Sequence, residues 1–208
     1  MEVMEAIRSR RSIREYENTQ VPMEHIHLIL EAAKWAPSGY NKQPWKFIVI
    51  QDRRLKLRMA EEVRAKLEEI SKWPAVKGKA SRIKAMLPGF IVFSRAPVAI
   101  AVLHSGYSAP MDEILIKQGL SFEERFKLRA APGIQSVAAA IQNMLLAATS
   151  LGYGTCYGTG CLIAKEGLEK VLGIKPPWRL MAIVPVGVPK KVPRPPKRKP
   201  LEELFEIR

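Results

Sequence analysis

Two clusters of the 208-residue chain carry side chains suited to gripping a small polar ligand. In Arg10-Arg11-Ser12-Ile13-Arg14, an extended backbone places Arg10, Ser12 and Arg14 on one side. Guanidinium forks beside a hydroxyl suit a phosphate or the carbonyl edge of a ring. A basic helix end that complements the helix dipole is the plainer reading of the same run. The second cluster is Pro37-Ser38-Gly39-Tyr40-Asn41-Lys42-Gln43-Pro44-Trp45. Gly39 lets the backbone approach a flat ligand closely, and the amides of Asn41 and Gln43 both donate and accept. Composition alone reads this string as a turn.

Acid-base and nucleophilic candidates are few. His25 and His27 stand two apart on a predicted helix and so do not share a face, which reads as surface or helix packing. His104 ends a predicted strand where an irregular segment begins and is open to substrate contact. Cys156 and Cys161 lack a second Cys/His pair at metal-binding spacing, so neither a zinc site nor a disulfide framework is supported. Cys161 reads as packing. No metal ligand set and no general acid stand out.

The formal charge of +14 raises the question of nucleic acid. No helix-turn-helix, RNP or zinc-finger pattern accompanies it, which argues against that partner. The charge is uneven instead. Ile70 to Met111 holds no acidic residue, and a second basic run, Lys190 to Lys199, lies in a Pro-rich tail. A solvated basic face and recruitment of small anionic ligands both fit this pattern. No stretch approaches the roughly 18 apolar residues of a membrane span and no signal core opens the chain, so a cytoplasmic protein without a membrane partner is expected.

Elements must hold these clusters in place. Val3, Met4 and Ile7 share a helical face, and Pro22 opens a helix that Pro37 stops. Trp45 to Gln51 and Pro97 to Leu103 read as buried strands around a charged amphipathic helix, Leu55 to Ile70. The clearest helix is Ile134 to Leu151, with Val137, Ala138, Ile141, Met144, Leu145 and Ala148 in one stripe and Gly152 as its cap. Its apolar stripe predicts an obligate dimer. Tyr153 to Tyr157 reads as a strand, Glu166 to Leu172 as a helix and Leu180 to Val188 as a last strand. The irregular order predicts an α+β fold, a mixed central sheet flanked by helices, in one domain spanning residues 1–208. Residues 71–90 and 104–131 lack sustained periodicity, yet their aromatics argue against disorder, so they read as active-site covers.

The exact strings say more than their composition. RRSIREY followed by APSGYNKQPWKFIVI resembles the start of the nitroreductase family of FMN enzymes. QSVAAAIQNMLLAATSLGYGTCYGTGCLIA resembles its dimerisation helix and the loop beneath the flavin, and KRKPLEE its closing segment. The resemblance implies that Arg10, Ser12 and Arg198 hold the FMN phosphate, with Arg11 the weakest member of its cluster. It places Arg14 toward the pyrimidine edge, where a cation stabilises the reduced ring. Pro37, Ser38, Gly39 and Asn41 would reach the flavin bound mainly by the other subunit, and Gly158, Thr159 and Gly160 would line the ring. Iodotyrosine deiodinases, similar in PSG and KRKPL, carry Thr where Gly160 stands; glycine withholds that hydroxyl and leans toward two-electron chemistry.

The resulting expectation is a homodimer with a domain-swapped C-terminal arm, residues 189–208. It would take hydride from NADH or NADPH and pass electrons to a small acceptor such as a nitroaromatic or quinone. Rivals on the same fold are reductive dehalogenation, enone reduction and oxygen-dependent flavin fragmentation. A flavin-storing or nucleic-acid-interacting protein without catalysis is the rival of another class.

Overall fold

A computed structural model describes residues 1–208. Helix α1, Val3–Ser9, leads into an extended segment, and α2, Met23–Lys34, follows Pro22. Strand β1, Trp45–Ile50, precedes the long α3, Arg53–Ser71, whose N-terminus is capped by Asp52 accepting from Arg54 N–H. Short helices α4, Ala80–Lys84, and α5, Leu87–Phe90, come before β2, Val98–His104. Helices α6, Pro110–Lys117, and α7, Phe122–Arg129, precede α8, Pro132–Ser150. The chain ends with β3, Gly154–Thr155, α9, Lys165–Val171, β4, Arg179–Gly187, and an extended arm.

The fold is α+β, with one sheet in the order β1-β2-β4-β3. Every neighbouring pair is antiparallel, which corrects the expected mixed sheet; the only parallel pairing is a single bridge between Ser12 and Thr155. A lone crossover helix between β1 and β2 would have made that pair parallel. Here α4 and α5 pack back along α3 and return the chain to the end it left. Lys56 Nζ, near the start of α3, donates to the carbonyls of Ala96 and Pro97 just before β2, and Ile50 pairs with Ala99.

Period-two alternation splits the strands between two cores. Val98, Ile100 and Val102 join Ala182, Val184 and Val186 against α2 and α8. Ala99, Ala101 and Leu103 join Leu180 and Ile183 against α3 and α9. The α8 stripe of Val137, Ile141, Met144, Leu145 and Ala148 is buried within this chain, so it does not by itself call for a second subunit. Exposed apolar residues include Val3, Met4 and Ile7 on α1, Trp35, Phe122, Phe126 and Leu128 on α7, Ile134 at the start of α8, and Leu201, Leu204, Phe205 and Ile207 in the arm. Gly152, left-handed at φ 84°, ends α8, as glycine does past a helix C-terminus.

The two segments expected to be irregular hold helices instead. Helix α7 starts with a capping box in which Ser121 and Glu124 bond reciprocally, a local stop and start signal that needs no apolar stripe. The chain then turns into α8 through Ala130 and Ala131, both left-handed, a conformation uncommon for residues other than glycine.

Candidate functional site

The segment after α1 runs beside β3. Ile13 N–H donates to the Thr155 carbonyl at 2.8 Å, and the buried Ile13 side chain packs against Gly154, where any side chain would strike it. Tyr16 Oη donates to the Ile13 carbonyl at 2.7 Å, and burial pushes its phenol far above the usual range. Glu17 N–H bonds Val188 and Lys190 N–H bonds Glu15. Residues 12–17 are thus pinned between β3 and the tail that follows β4.

With Ile13 turned inward, Arg10, Ser12 and Arg14 gather around Cys156. Burial pushes the Cys156 thiol up, while Arg14, the Ser12 hydroxyl and Arg10 all pull it the other way. Neither Arg10 nor Arg14 has a carboxylate partner. Beside Ser12, the Thr155 hydroxyl is buried and has no hydrogen-bond partner. Arg11 is occupied otherwise: its Nη1 donates to the carbonyls of Arg8 and Arg10 at 2.7 and 2.8 Å. It thereby satisfies backbone groups at the end of α1.

The Gly158-Thr159-Gly160 loop follows directly. Gly158 and Ile183 exchange two backbone hydrogen bonds, at 3.1 and 2.9 Å, and a Cβ at 158 would collide with the Ile183 carbonyl oxygen. The next two N–H groups, of Thr159 and Gly160, bond nothing within the chain. At Gly160 a Cβ would stand 2.5 Å from the Phe90 ring, which would have to shift to admit it. Cys161 is buried in the α3 and α9 core, and its thiol is pushed up to about 12 by burial, as its reading as a packing residue requires.

Pro37, Ser38, Gly39 and Asn41 form a separate piece. The Ser38 hydroxyl accepts from Gln43 N–H at 3.0 Å, holding a loop in which Tyr40, Asn41 and Gln43 are all left-handed. Such strain persists only where surroundings enforce it and concentrates at functional sites. Gly39 packs under the Tyr107 hydroxyl, near the start of α8, and no hydrogen bond joins this loop to residues 10–14 or 158–160. Arg198 stands apart as well, on an arm exposed from Lys190 to Arg208.

Three hollows lie around the sheet. One, about 750 Å³, lies where β2 begins and is lined by Glu17 to Val21, Lys56 and Ser94 to Val98. It contains no predicted site residue, and its buried cation Lys56 is already bonded to two carbonyls. Another, about 520 Å³, lies between α3 and the start of α9, where Lys165 and Arg179 share the wall with Glu62, Glu69 and Glu166. The third, about 440 Å³, opens where β2 ends, between β4, α6, α7 and the start of α8. His104 lines it; its Nδ1 accepts from Gly106 N–H at 3.3 Å, and its pKa is lowered by burial and then by Lys165. His25 lies away from this hollow and bonds Tyr153 at 2.7 Å, a packing role, while His27 is exposed.

Sequence comparison decides the family. Residues 7–188 match the nitroreductase family. The chain belongs to the nitroreductase family. Membership makes it an oxidoreductase of the nitroreductase type, a class of flavoproteins. A Methanothermobacter thermautotrophicus protein, provisionally named an NADH dehydrogenase/NAD(P)H nitroreductase, is 31% identical over 93% of this chain and 80% of its own length. A BluB-like flavoprotein of Clostridium difficile 630 superposes with a TM-score of 0.90 at 34% identity, over 100% of this chain and 99% of its own. A provisionally named nitroreductase of Desulfovibrio desulfuricans, solved in complex with FMN, superposes at 0.67 with 28% identity over 100% and 97%. No helix of this nitroreductase-family chain is long and apolar enough to cross a membrane.

Tyr16 and Lys165 are residues at these sites that sequence reasoning passes over, and no motif announces them; Tyr107 and Arg125 lie in the 104–131 segment that reads as an active-site cover.

Proposed function

We propose that the protein is an FMN-dependent oxidoreductase that works as a homodimer, accepts reducing equivalents from NADH or NADPH, and delivers them to a small electron-poor acceptor. The carrying observation is the convergence of Arg10, Ser12 and Arg14 on Thr155 to Gly160. It offers two unpaired cations, an unsatisfied buried hydroxyl and two adjacent free N–H groups. That donor-rich, acceptor-poor set fits the phosphate and carbonyl-edged ring of FMN, which the Desulfovibrio relative holds.

When bound, FMN supplies the two-electron chemistry; the chain supplies orientation and electrostatics. Arg10 and Ser12 hold the phosphate, joined by Arg198 once the arm, residues 189–208, wraps onto the partner subunit. Arg14 would lie toward the pyrimidine edge and offset negative charge there. The Thr159 and Gly160 N–H groups would face the ring, with the Gly158 bridge to the buried Ile183 holding the loop. Pro37, Ser38, Gly39 and Asn41 serve the site of the other subunit, which accounts for their separation from residues 10–14 within one chain. The exposed apolar residues of α1, Trp35 and the arm supply surface for that association.

Anaerobic titration of the purified yellow protein with NADH and NADPH tests this reading. The expected result is bleaching of the flavin by one or both, recovery on adding a quinone or nitroaromatic, and intact FMN after many cycles. Absence of bleaching favours flavin storage, and loss of FMN on exposure to oxygen favours fragmentation chemistry.

A further inference from the structure

We infer that the 440 Å³ cavity is the acceptor site and that the acceptor it selects is a single-ring aromatic anion, an inference that rests on the oxidoreductase reading above. The cavity adjoins the part of the proposed flavin machinery that serves the partner subunit: Tyr107 in its wall packs on Gly39. Met181 of β4 also lines it.

Its charge is unbalanced. Four cations and one carboxylate line it. Arg129 is paired with Asp112 at 3.0 Å, and Asp112 is only 5% exposed. Arg179 is paired with Glu169 at 3.3 Å. Arg125 and Lys165 have no carboxylate partner, and Arg125 uses only Nε, toward the Leu120 carbonyl at 3.3 Å. Its terminal nitrogens are left for a ligand, in the geometry that favours carboxylates.

The same wall supplies ring surface. Phe122 and Phe126 stand 6.2 Å apart between centroids at 36°, and they are 60% and 50% exposed. Aromatic rings left open beside unpaired cations select a flat anion. The volume falls low in the roughly 300–1,000 Å³ range of small-molecule pockets, which suits one substituted ring better than a dinucleotide.

The test compares 4-nitrobenzoate with its neutral analogue 4-nitrobenzamide on the FMN-loaded protein. In each case NADPH and one proton deliver two electrons and two protons in all, and the nitro group becomes nitroso with release of water. The expected kcat/KM favours the carboxylate by about tenfold or more. Arg125→Met on α7 and Lys165→Met on α9 each reduce that preference severalfold, whereas Arg54→Met, on α3, leaves it unchanged. Calorimetric titration with benzoate and benzamide, which are not reduced, reads the same preference as binding.

Equal use and equal binding of the two analogues by the unaltered protein overturns the inference. So does an unchanged preference in both cavity variants, or a raised KM for NADPH as their sole effect, which would assign the cations to the nucleotide phosphate. If no acceptor is turned over, the oxidoreductase reading fails, and benzoate binding with its loss in Arg125→Met still decides the cavity.

Discussion

Replacing Gly158 by alanine tests whether the flavin loop is held by its bridge to β4. The added Cβ would meet the Ile183 carbonyl oxygen. That oxygen cannot retreat, because Ile183 is fully buried and paired on its other side with Ala101 of β2. The loop must move instead and break the two reciprocal hydrogen bonds, at 3.1 and 2.9 Å. At roughly 0.5 to 1.5 kcal/mol net for each bond, the cost is about 1 to 3 kcal/mol. If it falls on stability, the melting temperature drops by about 2 to 12 °C; if it falls on binding, FMN affinity drops roughly five- to 150-fold. Gly160→Ala is the internal comparison. Its Cβ meets the half-buried Phe90 ring, a side chain that can shift, so a loss near the low end of the roughly 1 to 3 kcal/mol of overpacking is expected. Thermal unfolding with and without added FMN, and FMN fluorescence titration, measure both variants. Unchanged melting and unchanged affinity in Gly158→Ala would show that the bridge does not position the loop, and a larger effect at Gly160 would invert the argument.

Arg198→Ala should weaken FMN about ten- to hundredfold, the effect of one lost charge-assisted hydrogen bond; equilibrium titration showing full affinity removes the arm from the site. Sedimentation of the flavin-bound protein at micromolar concentration should show a dimer, and polar substitution of Met4 and Ile7, both exposed on α1, should shift it toward monomer; a stable flavin-bound monomer contradicts the shared-site reading. The Cys161 thiol, raised to about 12 when folded, ionises first in the unfolded chain. The unfolded state therefore binds fewer protons between about pH 8.5 and 12, and stability present below that window declines as pH rises through it. Urea unfolding should show a shallower decline in Cys161→Ala, and native protein should resist alkylation at this buried thiol until unfolded; equal slopes or rapid native labelling of Cys161 contradict its burial.

The sequence by itself determined what is local. Short apolar runs located β1, β2 and β4, and helical periodicity located α3 and α8, because burial dictates which residue types fill an element. Gly152 marked the end of α8 because a left-handed position favours glycine. The strings at residues 10–14, 37–45 and 158–160 were legible through their resemblance to the nitroreductase family, which residues 7–188 match. What only tertiary structure decided is whatever depends on where the chain returns. The antiparallel β1-β2 pairing follows from α4 and α5 running back along α3, short helices without a stripe to announce them. The burial of the α8 stripe inside its own subunit follows from α2 and the sheet reaching it first, which periodicity cannot tell from a partner doing the same. Arg125 of α7 and Lys165 at the start of α9 line one cavity without carboxylate partners, whereas Arg129 and Arg179 found theirs in Asp112 and Glu169. Charge pairing between residues far apart in the chain is a property of the fold, and no spacing in the sequence encodes it.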